Sequence, residues 1–543
     1  MPAKPVGDRS APEVVLIGYQ DQGNLGMGYL AATLLRHGRS VELIDVRDGP
    51  GRIVERIAAN PPIVIGFSLI FQFFLPQFRR VAAALRKAGI NSHLTIGGHF
   101  PSLCPDELLH LMPEIDSVAL YEGELTLLDL VERLAAGDDW RLTPGIAFLD
   151  GGEPRESEPR ALIHDLDTLP FPYRPYEPEQ IVGFRTLPVL ASRGCARRCS
   201  FCSIHTFYRT APGKTVRVRR PEKVIEEMLL LWQGHGIRIF LFQDDDFPLW
   251  GRVGRRWADE LVGRMHETGL AQNTIWKISC RAEYVEPELF SKLRDAGLFL
   301  VYMGIESGTE SGLEVLHKQL TVAQNLAAVR TLKSLGIFFS YGFMLLDPSS
   351  TFESIRINVN FLRQIVGDGS AAATFCRMLP YGGTPIRDRL LVEGRLRGDI
   401  THPDYDFLDP RLNHYYTLLK RAAGPWIHDE GVSHQLNWAW DELETVRRLV
   451  GGLHGLGAYR AELAEITAAS NEQLFQLVER SSLAFEQGNN FGPAVSDTAA
   501  ICAGIRTSLL RRRNSFFAKN ADIVTEATQA TSVHGPVMAP QVH

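Results

Sequence analysis

The 543-residue sequence is poor in cysteine: it has seven, an odd number and too sparse to staple a disulfide scaffold. Long apolar runs are missing too. The longest, 63–75, is broken by Ser68 and Gln72 and falls short of the ~20 residues that span a bilayer. It reads as a buried strand with its exit loop, and no membrane partner is expected. The first dozen residues lack the apolar core of a secretory signal, so a reducing, cytoplasmic compartment is the expectation. Charge of one sign is not in excess: 57 basic against 63 acidic residues give a net charge of −6, without the basic surplus of a nucleic-acid binder. With 45% apolar and 22% charged residues, the composition is that of an ordinary globular protein, long enough for two or three domains.

What is present is alternation. Residues 13–135 alternate short β-rich runs (14–18, 41–45, 63–67, 94–97, 117–121) with helical stretches, which predicts an α/β fold with a doubly wound, Rossmann-like sheet in a domain spanning 1–145. Ligands of such sheets bind beyond the carboxyl ends of the strands. Those ends carry 20–28, 68–74, Gly97-Gly98-His99-Phe100 and Glu122-Gly123-Glu124, small and polar loops suited to a large planar or nucleotide-like ligand. Each glycine taken alone is equally a tight turn. Between 146 and 185 periodicity is lost and prolines gather, which predicts a wrapping linker. A second series over 186–390 has candidate strands near 186–193, 237–243, 273–279, 298–304, 336–345 and 371–379, separated by helical patterns. Six such units predict a partial (β/α)6 barrel, open where the eight-unit form closes. Residues 391–520 read as a helical C-terminal domain, and 521–543, lacking periodicity, as a disordered tail.

Three of the seven cysteines crowd together in A-S-R-G-C-A-R-R-C-S-F-C: Cys195, Cys199 and Cys202 follow the first barrel strand, on the face where barrels keep their active sites. Three thiolates on one loop can hold a metal centre, and a 4Fe-4S cluster bound by three of them keeps one iron open for a small molecule. Zinc is the competitor. A structural zinc site normally needs four protein ligands, and the nearest fourth candidate is His205.

The three-residue then two-residue gap, with Phe201 before the last cysteine, resembles the radical S-adenosylmethionine superfamily. The resemblance implies that the open iron chelates S-adenosylmethionine and that its reductive cleavage gives a 5′-deoxyadenosyl radical, with Phe201 beside the adenine. It extends to later strand ends. Asp244, Asp245 and Asp246 stand where relatives contact the methionine amino group, Ser279 and Arg281 bracket the end of strand three, and Arg281 offers a fork of donors to the methionine carboxylate. Gly304 and Glu306 resemble the ribose-contacting motif, and 379–385 the strand-six loop. Singly, each is equally an N-cap aspartate, a surface arginine or a turn glycine.

A doubly wound domain before such a barrel resembles the cobalamin-binding class, the class B-type radical S-adenosylmethionine methyltransferases. Many cobalamin proteins carry D-x-H-x-x-G in the first loop. Here Asp21 to Gly26 reads D-Q-G-N-L-G, with Gly23 where the cobalt-ligating histidine would stand. The resemblance implies cobalamin bound without that ligand, cradled by Asp21, Gly26, Ser68, Gly97, Gly98, Glu122 and Gly123. The other outcome is a fold kept after the cofactor was lost. The implied reaction is methyl transfer to a carbon or phosphorus atom that is not nucleophilic, in a small-molecule substrate, with a reducing partner such as flavodoxin or ferredoxin. Relatives acting on antibiotic intermediates make antibiotic biosynthesis the expected setting. The rivals are a radical rearrangement or oxidative cyclisation, and a plain iron–sulfur electron carrier.

Overall fold

A computed structural model describes residues 12–20, 23–489 and 495–529. Asp21, expected in the cobalamin cradle, and residues 530–543, expected to be disordered, lie outside the described residues.

The first sheet is built from β1 (Val14–Gly18), β2 (Val41–Asp45), β3 (Val64–Ser68), β4 (His93–Gly97), β5 (Ser117–Ala119), β6 (Ile146–Asp150) and β7 (Glu153–Glu156). The strand order is β2-β1-β3-β4-β5-β6-β7, with the first five parallel. The order 2-1-3-4-5 puts the switch point between β1 and β3, where doubly wound sheets bind their ligands. The apolar runs of β1, β3 and β4 are buried on both faces, as parallel strands between helices require. The linker expected to begin at 146 instead starts with β6 and β7, an antiparallel hairpin that extends this sheet. From there the chain does wrap. Tyr173 donates its N–H to the Gly28 carbonyl at 3.0 Å, and Arg174 is buried with bonds to the Pro188 carbonyl (2.9 Å) and Glu227 (2.7 Å). These bonds pin the first unit to the second.

The second unit comprises β8 (Glu179–Ile181), β9 (Phe184–Val189), the short pair β10 (Ser192–Arg193) and β11 (Arg217–Val218), then β12 (Ile239–Phe242), β13 (Ile275–Cys280), β14 (Leu298–Glu306), β15 (Phe338–Leu346) and β16 (Cys376–Arg377). Its main sheet runs β16-β15-β14-β13-β12-β9-β8; the six strands β9 and β12 to β16 are parallel and β8 closes one edge antiparallel. This is the expected six-strand open barrel. The intervening helices carry their own start signals, such as Thr321, whose side chain and that of Gln324 form a reciprocal capping box for Val322–Leu335.

The helices Pro410–Ile427, Val432–Leu449, Leu456–Glu486 and Val495–Lys519 pack on the barrel, and their apolar residues join its core in one cluster running from Ile181 to Val524. Residues 521–529, read as part of a disordered tail, form the helix Ala521–Gln529, anchored by buried Val524. Among the described residues no helix is long and apolar enough to cross a membrane.

Candidate active site

The three cysteines lie between β10 and the helix Ser203–Thr210, all as free thiols, with Cys199 buried and the other two partly so. The loop is fastened at several strand ends. Asp244, after β12, accepts from Ala191 N (3.2 Å) and Ser192 Oγ (2.6 Å), and Asp245 accepts from Gly194 N (2.9 Å). Ser200 donates to the Leu316 carbonyl beyond β14 (3.0 Å) and accepts from Ile386 N beyond β16 (2.9 Å). Arg197 reaches the Tyr284 hydroxyl (3.1 Å) and Glu283 (2.9 Å) beyond β13. Both carboxylates thus support the cysteine loop, and burial pushes them up to about 7 and about 6. Asp246 reaches the loop too, 3.8 Å from Cys195 Sγ, while its Oδ1 is buried without a hydrogen-bond partner.

Burial pushes Cys195 up to about 12 and Cys202 up to about 11, and nearby cysteines add to both shifts. At Cys195 and Cys202 burial thus disfavours the thiolate, which a bound metal centre would stabilise. Among the described residues no three His, Cys, Asp or Glu side chains are drawn together tightly enough to ligate one ion. His205, the fourth zinc candidate, keeps both ring nitrogens buried and unpartnered. A four-iron cluster spreads its cysteine ligands over separate irons. Three thiolates match the three ligands such a cluster takes from the protein, while a structural zinc site needs a fourth.

Around the cysteines, Arg281 Nη1 lies 3.8 Å from Cys199 Sγ, its Nε bonds Glu283 (2.6 Å) and its Nη2 the Lys318 carbonyl (2.5 Å). All three guanidinium nitrogens of Arg281 thus have partners within the site. Glu306, at φ +65°, pairs with Lys318 Nζ at 3.1 Å, and Gly304 lies so close that a Cβ there would stand 2.4 Å from the Glu306 carboxylate. Lys318 is a site residue that the sequence reading missed. Ser279 lies on β13 and its carbonyl accepts from Phe247 N (3.0 Å), and Phe201 packs against the barrel core.

Beside the cysteine loop lies a largely apolar cavity of about 590 Å³ shared by both units. Its first wall holds Gly26, Ser68, Gly97, Gly98, Glu122 and Gly123, every described member of the expected cradle. Its second holds Ser192, Arg193, Phe207, Tyr208, Gln243 and Asp245. Gly66, Thr95 and Ala119 line it as well. Gly66 was also missed, although glycine inside a strand signals a close approach; a Cβ there would meet Leu16 Cδ2 at 2.8 Å. A largely apolar cavity of about 590 Å³ lined by small residues at strand ends fits a large planar group such as a corrin ring. Glu122 also bonds Arg193 (3.0 Å), Arg217 (2.7 Å) and Ile163 N (2.7 Å), and Glu124 bonds Arg193 (2.6 Å). Burial works against the charge of Glu122, but the two arginines outweigh it and hold the carboxyl below its usual range.

Fold and site place a loop of three free cysteines beside a large cavity walled by both units. The chain matches the models of the Radical SAM superfamily over residues 189–362 and of the B12 binding domain over residues 14–131, and it belongs to the cobalamin-binding radical S-adenosylmethionine enzymes. It is 28% identical over 411 residues to an uncharacterized methyltransferase of Pyrococcus horikoshii, covering 73% of this chain and 86% of that one. It is 26% identical over 482 residues to the cytidylyl-2-hydroxyethylphosphonate methyltransferase of Streptomyces wedmorensis (75% and 83% covered). It is also 30% identical over 278 residues to an anaerobic magnesium-protoporphyrin IX monomethyl ester cyclase of Cereibacter sphaeroides (49% and 44% covered). Among solved structures, the cobalamin-dependent S-adenosylmethionine radical enzyme OxsB shares the fold, with TM-score 0.66 and 17% identity, over 96% of this chain and 83% of its own.

Proposed function

We propose that the chain is a cobalamin-dependent radical S-adenosylmethionine methyltransferase acting on an unactivated carbon, or a phosphorus, of a specialised-metabolite intermediate. The observation that carries this reading is the cavity of about 590 Å³ whose walls come from both units, with Arg193 in its wall and Cys195 two residues on. When bound, the cluster and S-adenosylmethionine supply the 5′-deoxyadenosyl radical that takes a hydrogen atom from the substrate, and cobalamin supplies the methyl group. Cys195, Cys199 and Cys202 would hold the cluster, and Asp244, Asp245, Ser200 and Arg197 fix their loop. Leu69, Ile70, Phe71 and Phe74 present apolar surface to the cavity and exclude water from it. The relatives named as methyltransferases, each covered over more than four fifths of its length, support the reading. The partners would be a small-molecule substrate and a flavodoxin- or ferredoxin-like reductant. The cyclase relative favours one second reading, an oxidative cyclisation at the same site.

Turnover with trideuteromethyl-labelled S-adenosylmethionine separates the two. Methyl transfer consumes two molecules per turnover, gives one 5′-deoxyadenosine and one S-adenosylhomocysteine, and moves the label intact into product. Unlabelled product, with 5′-deoxyadenosine but no matching S-adenosylhomocysteine, would establish the cyclisation reading instead.

A further inference from the structure

The strands of the second sheet bury one face and leave the other open. Trp276 and Ile278 on β13, and Val301 and Met303 on β14, are fully buried, while Lys277 and Tyr302 alternate with them and line the barrel lumen. Tyr302 is 39% exposed there, and Lys277 Nζ stands 6.0 Å from its ring centroid. Among the described residues Lys277 has no hydrogen bond or ion pair. The bottom of the lumen is closed by the helix Val432–Leu449. It packs on β13, β14 and β15, and its Arg447 donates to the Gly336 carbonyl (3.2 Å) just before β15. From this helix the charge of Asp441 reaches Lys277, yet Asp441 Oδ1 is buried with no hydrogen-bond partner. The cations nearer the cysteines are committed, Arg281 to Glu283 and Lys318 to Glu306.

The geometry points to an anion-binding subsite at the floor of the lumen, where Lys277 takes a phosphate or carboxylate of the substrate, with Tyr302 beside it and Asp441 accepting a neighbouring hydroxyl or amine. A half-buried ammonium with no hydrogen-bonded counter-ion is costly, and an incoming anion relieves that cost. Four strand residues, about 13 Å at ~3.3 Å each, separate Lys277 from Arg281 beside the cysteine site. A small metabolite held by its anionic end at the floor thus spans the lumen towards the reacting centre. The subsite rests on the proposed function in one respect, that the lumen receives the substrate.

The test is competitive labelling of lysines in the anaerobic holoenzyme with acetic anhydride, read by peptide mapping. Inorganic phosphate and succinate serve as probes, and chloride at equal ionic strength as control. With an anion at ~10 times its Kd, Lys277 acetylation slows about tenfold, while Lys292 and Lys333 on the surface keep their chloride rates. Protection by phosphate alone makes the bound group a phosphate; protection by succinate alone makes it a carboxylate. No protection of Lys277, or an equal slowing of all three lysines, overturns the proposal. The result is independent of methyl transfer, since unlabelled product would remove that reaction and leave the protection standing.

Discussion

Arg193 Nη1 lies 3.0 Å from Glu122 Oε1, an ion pair that joins the two units two residues before Cys195. Glu122 is shared with Arg217, whose Nε and Nη2 are already buried without partners. Glu122→Ala strips Arg217 of its carboxylate while Arg193 keeps only Glu124. Leaving a buried charge uncompensated costs about 3–5 kcal/mol, read as a lowered urea midpoint of the apoprotein. A loss below about 1 kcal/mol, the range of exposed pairs, would mean that the network does not hold the units together.

Gly23 has φ +66°, and a Cβ there would stand 2.2 Å from the Tyr176 hydroxyl. The position that carries a cobalt-ligating histidine elsewhere is thus closed by a left-handed backbone and by the wrapping linker. The apolar Leu69, Ile70 and Phe71 meet the cavity instead. Electron paramagnetic resonance of the cob(II)alamin form is expected to lack nitrogen superhyperfine splitting from an imidazole. His99 also lines the cavity, and burial lowers it to about 4, so it is neutral. Splitting that disappears in His99→Ala would reverse the prediction and make His99 the ligand.

Burial pushes Asp441 up to about 7, with Lys277 opposing the shift and Glu442 and Glu444 adding to it. An unfolded aspartate titrates near ~3.9. Between these values the folded chain holds a proton that the unfolded chain has lost, so stability falls as pH rises from about 4 to about 7 and is level above. Asp441→Asn removes this dependence. Its advantage over the wild type is greatest at neutral pH and above, at most about 4 kcal/mol, and fades towards pH ~4. Parallel stability profiles for the two proteins would refute it.

Much of this was legible in the sequence because it is local. Strands such as Val14–Gly18 and Val41–Asp45 announce themselves by short apolar runs, and the cysteine spacing by its gaps. The same holds for the strand ends that line the cavity, since a glycine or serine at a strand end is a local event. The pairings were not legible. Arg193 meets Glu122 across 71 residues and Arg217 meets it across 95, and no periodicity reports such contacts. The resemblance implies a ligand contact for Asp244, and only the fold shows its oxygens bonded to Ala191 and Ser192. The early end of the first unit at 145 has a similar cause. The strand Glu153–Glu156 is mostly exposed and has no apolar alternation to detect.

The most direct test is to replace Cys195, Cys199 and Cys202 by alanine one at a time, reconstitute each variant anaerobically, and measure iron, cobalamin and 5′-deoxyadenosine formed under reduction. Each loss leaves two protein thiolates for a cluster that needs three. Every variant is therefore expected to lose iron and 5′-deoxyadenosine formation while retaining cobalamin, whose cavity is walled largely by the first unit. A variant that keeps wild-type iron content and wild-type 5′-deoxyadenosine formation would contradict the account.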